Sequence, residues 1–173
     1  MENFTNSVLL PGDIPAIEKE TFNPIDKKQL ILIYMRIAIL FLILAGALIA
    51  FLIISDEIPP LKIIIGVACA IALFIGYNSV IASLGFPKKG YLIRENDISY
   101  QRGLIRFKQV SVPFNRIQHV EVSQGVIAKK FKISTLKLYT AGGATSDLSI
   151  HGLPTEIAHN LKAFLSEKIS EHE

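Results

Sequence analysis

Two apolar runs, Leu30 to Ile54 and Leu61 to Phe86, are separated only by Ser55-Asp56-Glu57-Ile58-Pro59-Pro60, and this pairing limits every fold open to the chain. A helix crossing a hydrocarbon core of about 30 Å needs about 20 predominantly apolar residues, and both runs are long enough. So short a linker permits only a tight turn. Residues 30–86 are therefore expected to form an antiparallel two-span hairpin with both termini on one side of a membrane.

Positive flanks are retained in the cytoplasm. Lys27, Lys28 and Arg36 precede or enter the first run and Lys88, Lys89 and Arg94 follow the second, whereas the linker offers Asp56 and Glu57. Both termini are expected to be cytoplasmic. The opening segment MENFTNSVLLPGDIPAIEKE lacks a basic start followed by an apolar run, so the first span reads as an uncleaved anchor rather than a signal peptide. Residues 1–29, with Pro11, Gly12, Pro15 and Pro24, read as an extended or partly disordered cytoplasmic lead-in, with packing onto the soluble domain as the alternative. Cys69, alone in the sequence, excludes an intramolecular disulfide and reads as a small apolar residue within a span.

Small side chains recur within the runs at Gly46 and Ala50, and at Ala68, Ala72 and Gly76, a spacing that would let the two helices approach closely. Asn78, Ser79 and Ser83 could add polar contacts between them. Arg36, the one charge well inside a run, lies near enough to the end to snorkel to the interface. So few ionisable groups make a transporter a poor reading.

Beyond the spans the charge balance changes. Residues 88–173 carry thirteen Lys and Arg against eight Asp and Glu, a net of +5, while residues 1–87 carry five against seven, a net of −2. Anionic head groups attract cations held near the bilayer by about 1 kcal/mol each. No recognition helix or aromatic-interleaved basic motif accompanies the charge, so nucleic acid is not an expected partner.

From Tyr91 the pattern becomes one of short strands punctuated by turns at intervals near ten residues. YLIR, ISYQR and LIRFKQVSVP come first, and a change of apolar phase in the third suggests a bulge near Lys108 or Gln109. IQHVEVS sets Val120 and Val122 against His119 and Glu121, STLKLYTA alternates Leu136 and Leu138 with Lys137 and Tyr139, and DLSIHGL is the last strand. AGGAT at 141–145 reads as a hairpin turn between the last two. Then Pro154 opens a helical period in which Ile157, Leu161, Phe164, Leu165 and Ile169 form one apolar stripe. The expected fold is thus a membrane α-helical hairpin plus a cytoplasmic mainly-β domain over 87–173. In it six or seven antiparallel strands close a small barrel, and an amphipathic helix at about 154–169 caps it.

With VPFNRIQHVEVSQG at 112–125, FKISTLKLYTAGG at 131–143 and LSIHGL at 148–153, residues 91–165 resemble the bacterial pleckstrin-homology-like (PH-like) domain of small membrane proteins with an N-terminal pair of spans. The resemblance implies a non-catalytic module of the bacterial inner membrane, in some cases working beside a larger membrane protein with several such domains. Eukaryotic pleckstrin-homology domains that bind phosphoinositides use a basic pocket between early strands. The resemblance therefore singles out Arg94, Arg102, Arg106 and Lys108 as a candidate lipid or anion surface, guanidinium groups being suited to phosphate. Phosphoinositides themselves are not carried over, because bacteria generally lack them.

The polar side chains of RIQHVEVSQG, namely Arg116, Gln118, His119 and Gln124, form a candidate partner surface, although any half-solvated strand alternates in this way. A catalytic constellation is missing. Ser134 or Ser149 could be paired with His119 or His151 only on paper, there is no GxSxG elbow or HExxH, and AGGAT does not lead into a helix. No catalysis, cofactor or metal is expected. Two readings survive: an interaction module that binds another membrane protein or a second copy of itself, and a lipid-sensing or lipid-organising protein that uses its basic surface.

Overall fold

The computed structural model describes residues 20–55, 59–140 and 148–170, so the turn expected at 141–145 and most of the lead-in lie outside the described residues. Helix α1 (Lys28–Ile54) and helix α2 (Leu61–Gly85) run antiparallel, and each is long and apolar enough to cross a membrane. At about 1.5 Å per residue they extend about 40 Å and 37 Å. The Asp26 carboxylate accepts the Lys28 N–H (2.8 Å), satisfying one first-turn donor of α1. Pro59 and Pro60 precede α2 and Pro87 follows it within a 3₁₀ turn, Phe86–Lys88. Along their length the helices leave large apolar side chains uncovered, as an apolar solvent allows.

The glycines do not bring the two helices together as the small-residue spacing suggested. A Cβ on Gly46 or Gly76 would meet nothing within 4 Å, so these positions face away from the partner helix. Tyr34 and Ser83 instead share a hydrogen bond between α1 and α2, and the Ser83 hydroxyl also donates to the Ser79 carbonyl (2.9 Å). The Asn78 amide turns back to the Phe74 carbonyl on its own helix (2.7 Å). Cys69 is exposed on α2.

The remainder is a two-sheet domain. Strands β1 (Asn23–Pro24), β2 (Gly90–Ile93), β3 (Asp97–Arg102) and β4 (Lys108–Pro113) form one antiparallel sheet in that order. Strands β5 (Ile117–Ser123), β6 (Ile133–Thr140) and β7 (Leu148–Pro154) form the other. Helix α3 (Val126–Lys130) joins β5 to β6, and helix α4 (Thr155–Ser170) follows β7. Six strands within 87–173 and a terminal helix are as expected; β1 adds a seventh from the lead-in, and the closed barrel is not formed. From Pro113, the last residue of β4, the 3₁₀ turn Phe114–Arg116 carries the chain into the second sheet, and the strands remain two separately hydrogen-bonded layers.

The third strand begins at Lys108, not Leu104, and β3 pairs with β4 without a register shift, from Asp97↔Pro113 to Arg102↔Lys108. The apparent change of phase is therefore a loop at residues 103–107, and no bulge lies at Lys108 or Gln109. An irregularity does occur in β5, where the register slips between Ile117 and His119, leaving Gln118 as the extra residue. That slip lets Ile117 and Val120, three apart, both point inward.

Ile98, Leu136, Leu138, Ile150 and Leu153 are fully enclosed between the sheets. Helix α4 covers one open end with Ala158 and Leu165 buried and Leu161 and Ile169 packed against the core, so the stripe read from sequence is centred slightly off its true axis. Phe114 meets Phe164 edge to face at 5.9 Å between ring centroids.

The segment before α1 belongs to this domain rather than to a loose tether. Asn23 and Pro24 pair with Tyr91 and Gly90, Ile25 is buried, and the Asp26 N–H donates to the Gly152 carbonyl (3.1 Å). Gln29 and Leu32, in the first turns of α1, are buried as well. The domain is thereby fastened to the open end of the hairpin.

Candidate functional site

The four cations singled out as a lipid surface divide into two places. Arg94 lies at the β2–β3 turn, where its Nε and Nη2 donate to the two carboxylate oxygens of Asp97, both at 2.7 Å. Its charge is already matched. Arg102 and Lys108 face each other at the opposite end of the β3–β4 hairpin, about 17 Å along the strand, with Arg106 in the loop between them.

That end of the hairpin abuts the spans. A Cβ on Gly85, at the end of α2, would lie 3.5 Å from the Leu104 Cβ. A groove of about 450 Å³ is bordered by Leu104, Ile105, Arg106 and Lys89 from the domain and by Ile33 and Ala82 from the helices. Lys89 lies close enough to Arg102 to feel it: partial burial first, and then the Arg102 charge, lower the Lys89 pKa below its ordinary value of 10.5.

A second cleft, of about 300 Å³, opens on the neighbouring face of α1. Gln29, Leu32 and Arg36 line it from the helix, with Val126 of α3, Ser134 and His151 opposite. Partial desolvation lowers the His151 pKa below 6.5. A contact of its Nδ1 with the Ser149 carbonyl (3.2 Å) opposes that shift, while the charges of Arg102, Lys89 and Arg36 add to it. Arg36 lines this cleft, Lys89 and Arg106 line the groove beside it, and Arg102 and Lys108 pair at the foot of the same loop, so the five together form a positive collar around the hairpin end. None of Arg36, Lys89, Arg102, Arg106 and Lys108 has a carboxylate partner among the described residues. Sequence periodicity could not reveal the collar, because its members come from separate elements. Arg36, read as a snorkelling residue, and Lys89, read as a flank, are part of it.

The candidate partner residues are also divided. Arg116, Gln118 and His119 are exposed near the start of β5. The His119 ring lies 5.7 Å from that of its cross-strand neighbour Tyr139, and the next pair joins Glu121 to Lys137 (3.1 Å). Glu121 also accepts a hydrogen bond from the Tyr139 hydroxyl (2.8 Å). That bond first, and then the Lys137 bond, lowers the Glu121 pKa. The result is an ordered polar face on the outer side of the second sheet. Gln124 lies at the other end of β5, and its amide donates to the Ile133 carbonyl (3.0 Å) and the Thr155 hydroxyl (2.8 Å), latching β6 to the start of α4.

The serines considered with histidine are also bound up in the fold. Ser134 is buried and donates to Thr155 Oγ1 (3.0 Å), and the His151 Nδ1 contact is to the Ser149 carbonyl, not its hydroxyl. Ser134 is opposite Leu153 across the β6–β7 ladder, while His151 is opposite Thr135.

Two antiparallel sheets, a covering C-terminal helix and a pair of apolar helices fused ahead of them define a PH-like domain on a membrane hairpin. Residues 31–169 match the family described as Bacterial PH domain, and the chain belongs to it. Over 64 residues, 37% of its length, it is 36% identical to the UPF0699 transmembrane protein YdbS of Bacillus subtilis (strain 168), covering 36% of that protein. Over 75 residues, 42% of its length, it is 31% identical to the UPF0699 transmembrane protein YdbT of the same organism, covering 15% of it. The aligned part thus spans about a third of one curated relative and a much smaller part of the other. No solved structure matches the chain significantly. The family is one of membrane-associated PH-like proteins and not a known enzyme family.

Proposed function

We propose that this chain is a non-catalytic interaction module of the bacterial inner membrane, crossing it twice with both termini cytoplasmic, whose PH-like domain binds another membrane protein of the same family. The observation that carries this reading is the fastening of the domain to its anchor through β1, Ile25, Gln29 and Gly152. A domain held in one orientation offers the same face to every neighbour in the membrane, which reduces the orientational entropy lost on association. The ordered outer face of β5 and β6, with Arg116, Gln118 and His119 at its margin, is the surface assigned to the partner. The occurrence of related sequence within the much longer YdbT supports a second PH-like chain as that partner.

The test is crosslinking of the tagged full-length protein in its native membrane, followed by purification in mild detergent and mass spectrometry. A stoichiometric PH-like membrane protein should co-purify with the wild type and be lost from an Arg116→Glu/His119→Glu variant that still yields folded protein. Recovery of the chain without a partner protein would refute the reading.

A second reading, lipid organisation, is supported by the collar of Arg36, Lys89, Arg102, Arg106 and Lys108, a surplus of unmatched cations where the domain meets the spans. It predicts that anionic phospholipid co-purifies with the wild type and is depleted from an Arg102→Glu/Arg106→Glu/Lys108→Glu variant. Equal lipid retention by both would exclude it.

A further inference from the structure

Turns on a soluble domain are ordinarily polar, yet the β3–β4 connection reads Gly-Leu-Ile-Arg-Phe. Gly103 has φ +111°, and a Cβ there would clash with the Arg106 carbonyl, so the tight closure of this loop depends on glycine. Closure places Leu104 against the end of α2 and leaves Ile105 74% and Phe107 60% exposed. Ile105 lines a groove whose other wall is the apolar surface of α1 and α2, and Phe107 follows two residues on at the end of the same loop.

A second apolar point occurs at Val126, 92% exposed, and Ile127 at the start of α3. They border the cleft on the Leu32–Arg36 face of α1, while the loop borders the Ile33 face, about 100° around the same helix. Two unrelated connections of the domain therefore present uncovered apolar side chains beside the same end of the hairpin, and the unmatched cations lie around them.

We infer that the 103–107 loop and Val126–Ile127 are two apolar feet that insert into the leaflet adjoining the domain, with Arg102, Arg106 and Lys108 resting on the phosphates of anionic phospholipids. The bilayer is the occupant because both feet lie exposed beside the end of the apolar spans, and because the cation surplus around them is complementary to anionic head groups rather than to an apolar partner helix. The charge part rests on the lipid reading above. The insertion part does not.

In a Cys69→Ser background, the full-length protein carrying an environment-sensitive fluorophore at Ile105→Cys, Val126→Cys or, as control, Glu95→Cys at the β2–β3 turn would be placed in nanodiscs. These would be made of phosphatidylcholine with or without phosphatidylglycerol. Labels at 105 and 126 should emit at shorter wavelength than the label at 95 and be quenched by a shallow spin-labelled lipid, while the label at 95 is quenched by aqueous iodide. Phosphatidylglycerol should deepen the lipid quenching, and the Arg102→Glu/Arg106→Glu/Lys108→Glu variant should lose that increment. Iodide quenching at 105 and 126 equal to that at 95 would overturn insertion, and shielding from both quenchers would overturn it in favour of a protein occupant. Lipid quenching that ignores phosphatidylglycerol would overturn the role of the cations while leaving insertion standing.

Discussion

Replacing Gly152 by alanine tests how the domain is joined to its anchor. Gly152 has φ +88°, in the left-handed region that a side chain disfavours by roughly 1–2 kcal/mol. The added Cβ would also clash with Ile25 Cγ2 and lie 2.7 Å and 2.8 Å from Gln29 Cγ and Cβ. Overpacking of this kind costs about 1–3 kcal/mol, giving about 2–5 kcal/mol in all. The damage falls on the junction, because Ile25 and Gln29 bracket the start of α1 and the Gly152 carbonyl accepts the Asp26 N–H. With no tryptophan in the chain, the near-ultraviolet circular dichroism of its tyrosines, Tyr91 and Tyr100 being buried, follows urea unfolding of the full-length protein in micelles. The Gly152→Ala midpoint should fall accordingly. Ile25→Ala alone should cost about 2–5 kcal/mol by emptying a core position. Its added cost in the Gly152→Ala background should be smaller by about 1 kcal/mol or more, because truncation relieves the clash. A Gly152→Ala variant within about 0.5 kcal/mol of wild type, or strictly additive effects in the pair, would refute the argument.

Phe114→Ala removes a buried ring that meets Phe164 and lies at the crossing between sheets, so the same titration should show a loss of about 3–5 kcal/mol. Gln124→Ala should cost about 1–3 kcal/mol by leaving the Ile133 carbonyl without its amide donor, and amide exchange at the start of α4 should quicken. For His151 the folded-state pKa is below its unfolded value of 6.5, so the unfolded chain binds the extra proton first. Stability should therefore decline as pH falls through 6.5 and level off below the folded pKa. His151→Gln should flatten that part of a pH series of urea midpoints, and an unchanged slope would contradict the assignment.

The hairpin, the strand-rich domain and the terminal helix were legible in the sequence because each rests on local periodicity. Twenty or more apolar residues in succession have few alternatives to a span, alternation at β6 follows from one face meeting a core, and the α4 stripe follows from 3.6 residues per turn. Reading was poorest where the chain departs from its period. The apolar loop at 103–107 mimicked a strand, so an irregularity was expected at Lys108 or Gln109, whereas the register shifts fall at Gln118 in β5 and at Gly152 in the β6–β7 ladder. Small residues in the spans marked no close approach, since in an apolar solvent spacing alone does not say which helix face meets another.

The cations show the same division. Their number and their concentration beyond the spans are properties of composition, and the sequence alone determined them. Which of them act together was decided by tertiary structure: Arg94 is held by Asp97 at one end of a hairpin, while Arg102, Arg106 and Lys108 lie at the other, beside Lys89 and next to the cleft that Arg36 lines. Charge adds along a chain regardless of fold, but a surface depends on distances between residues far apart in sequence. Those distances are set by how β1 and Gly152 fasten the domain to α1.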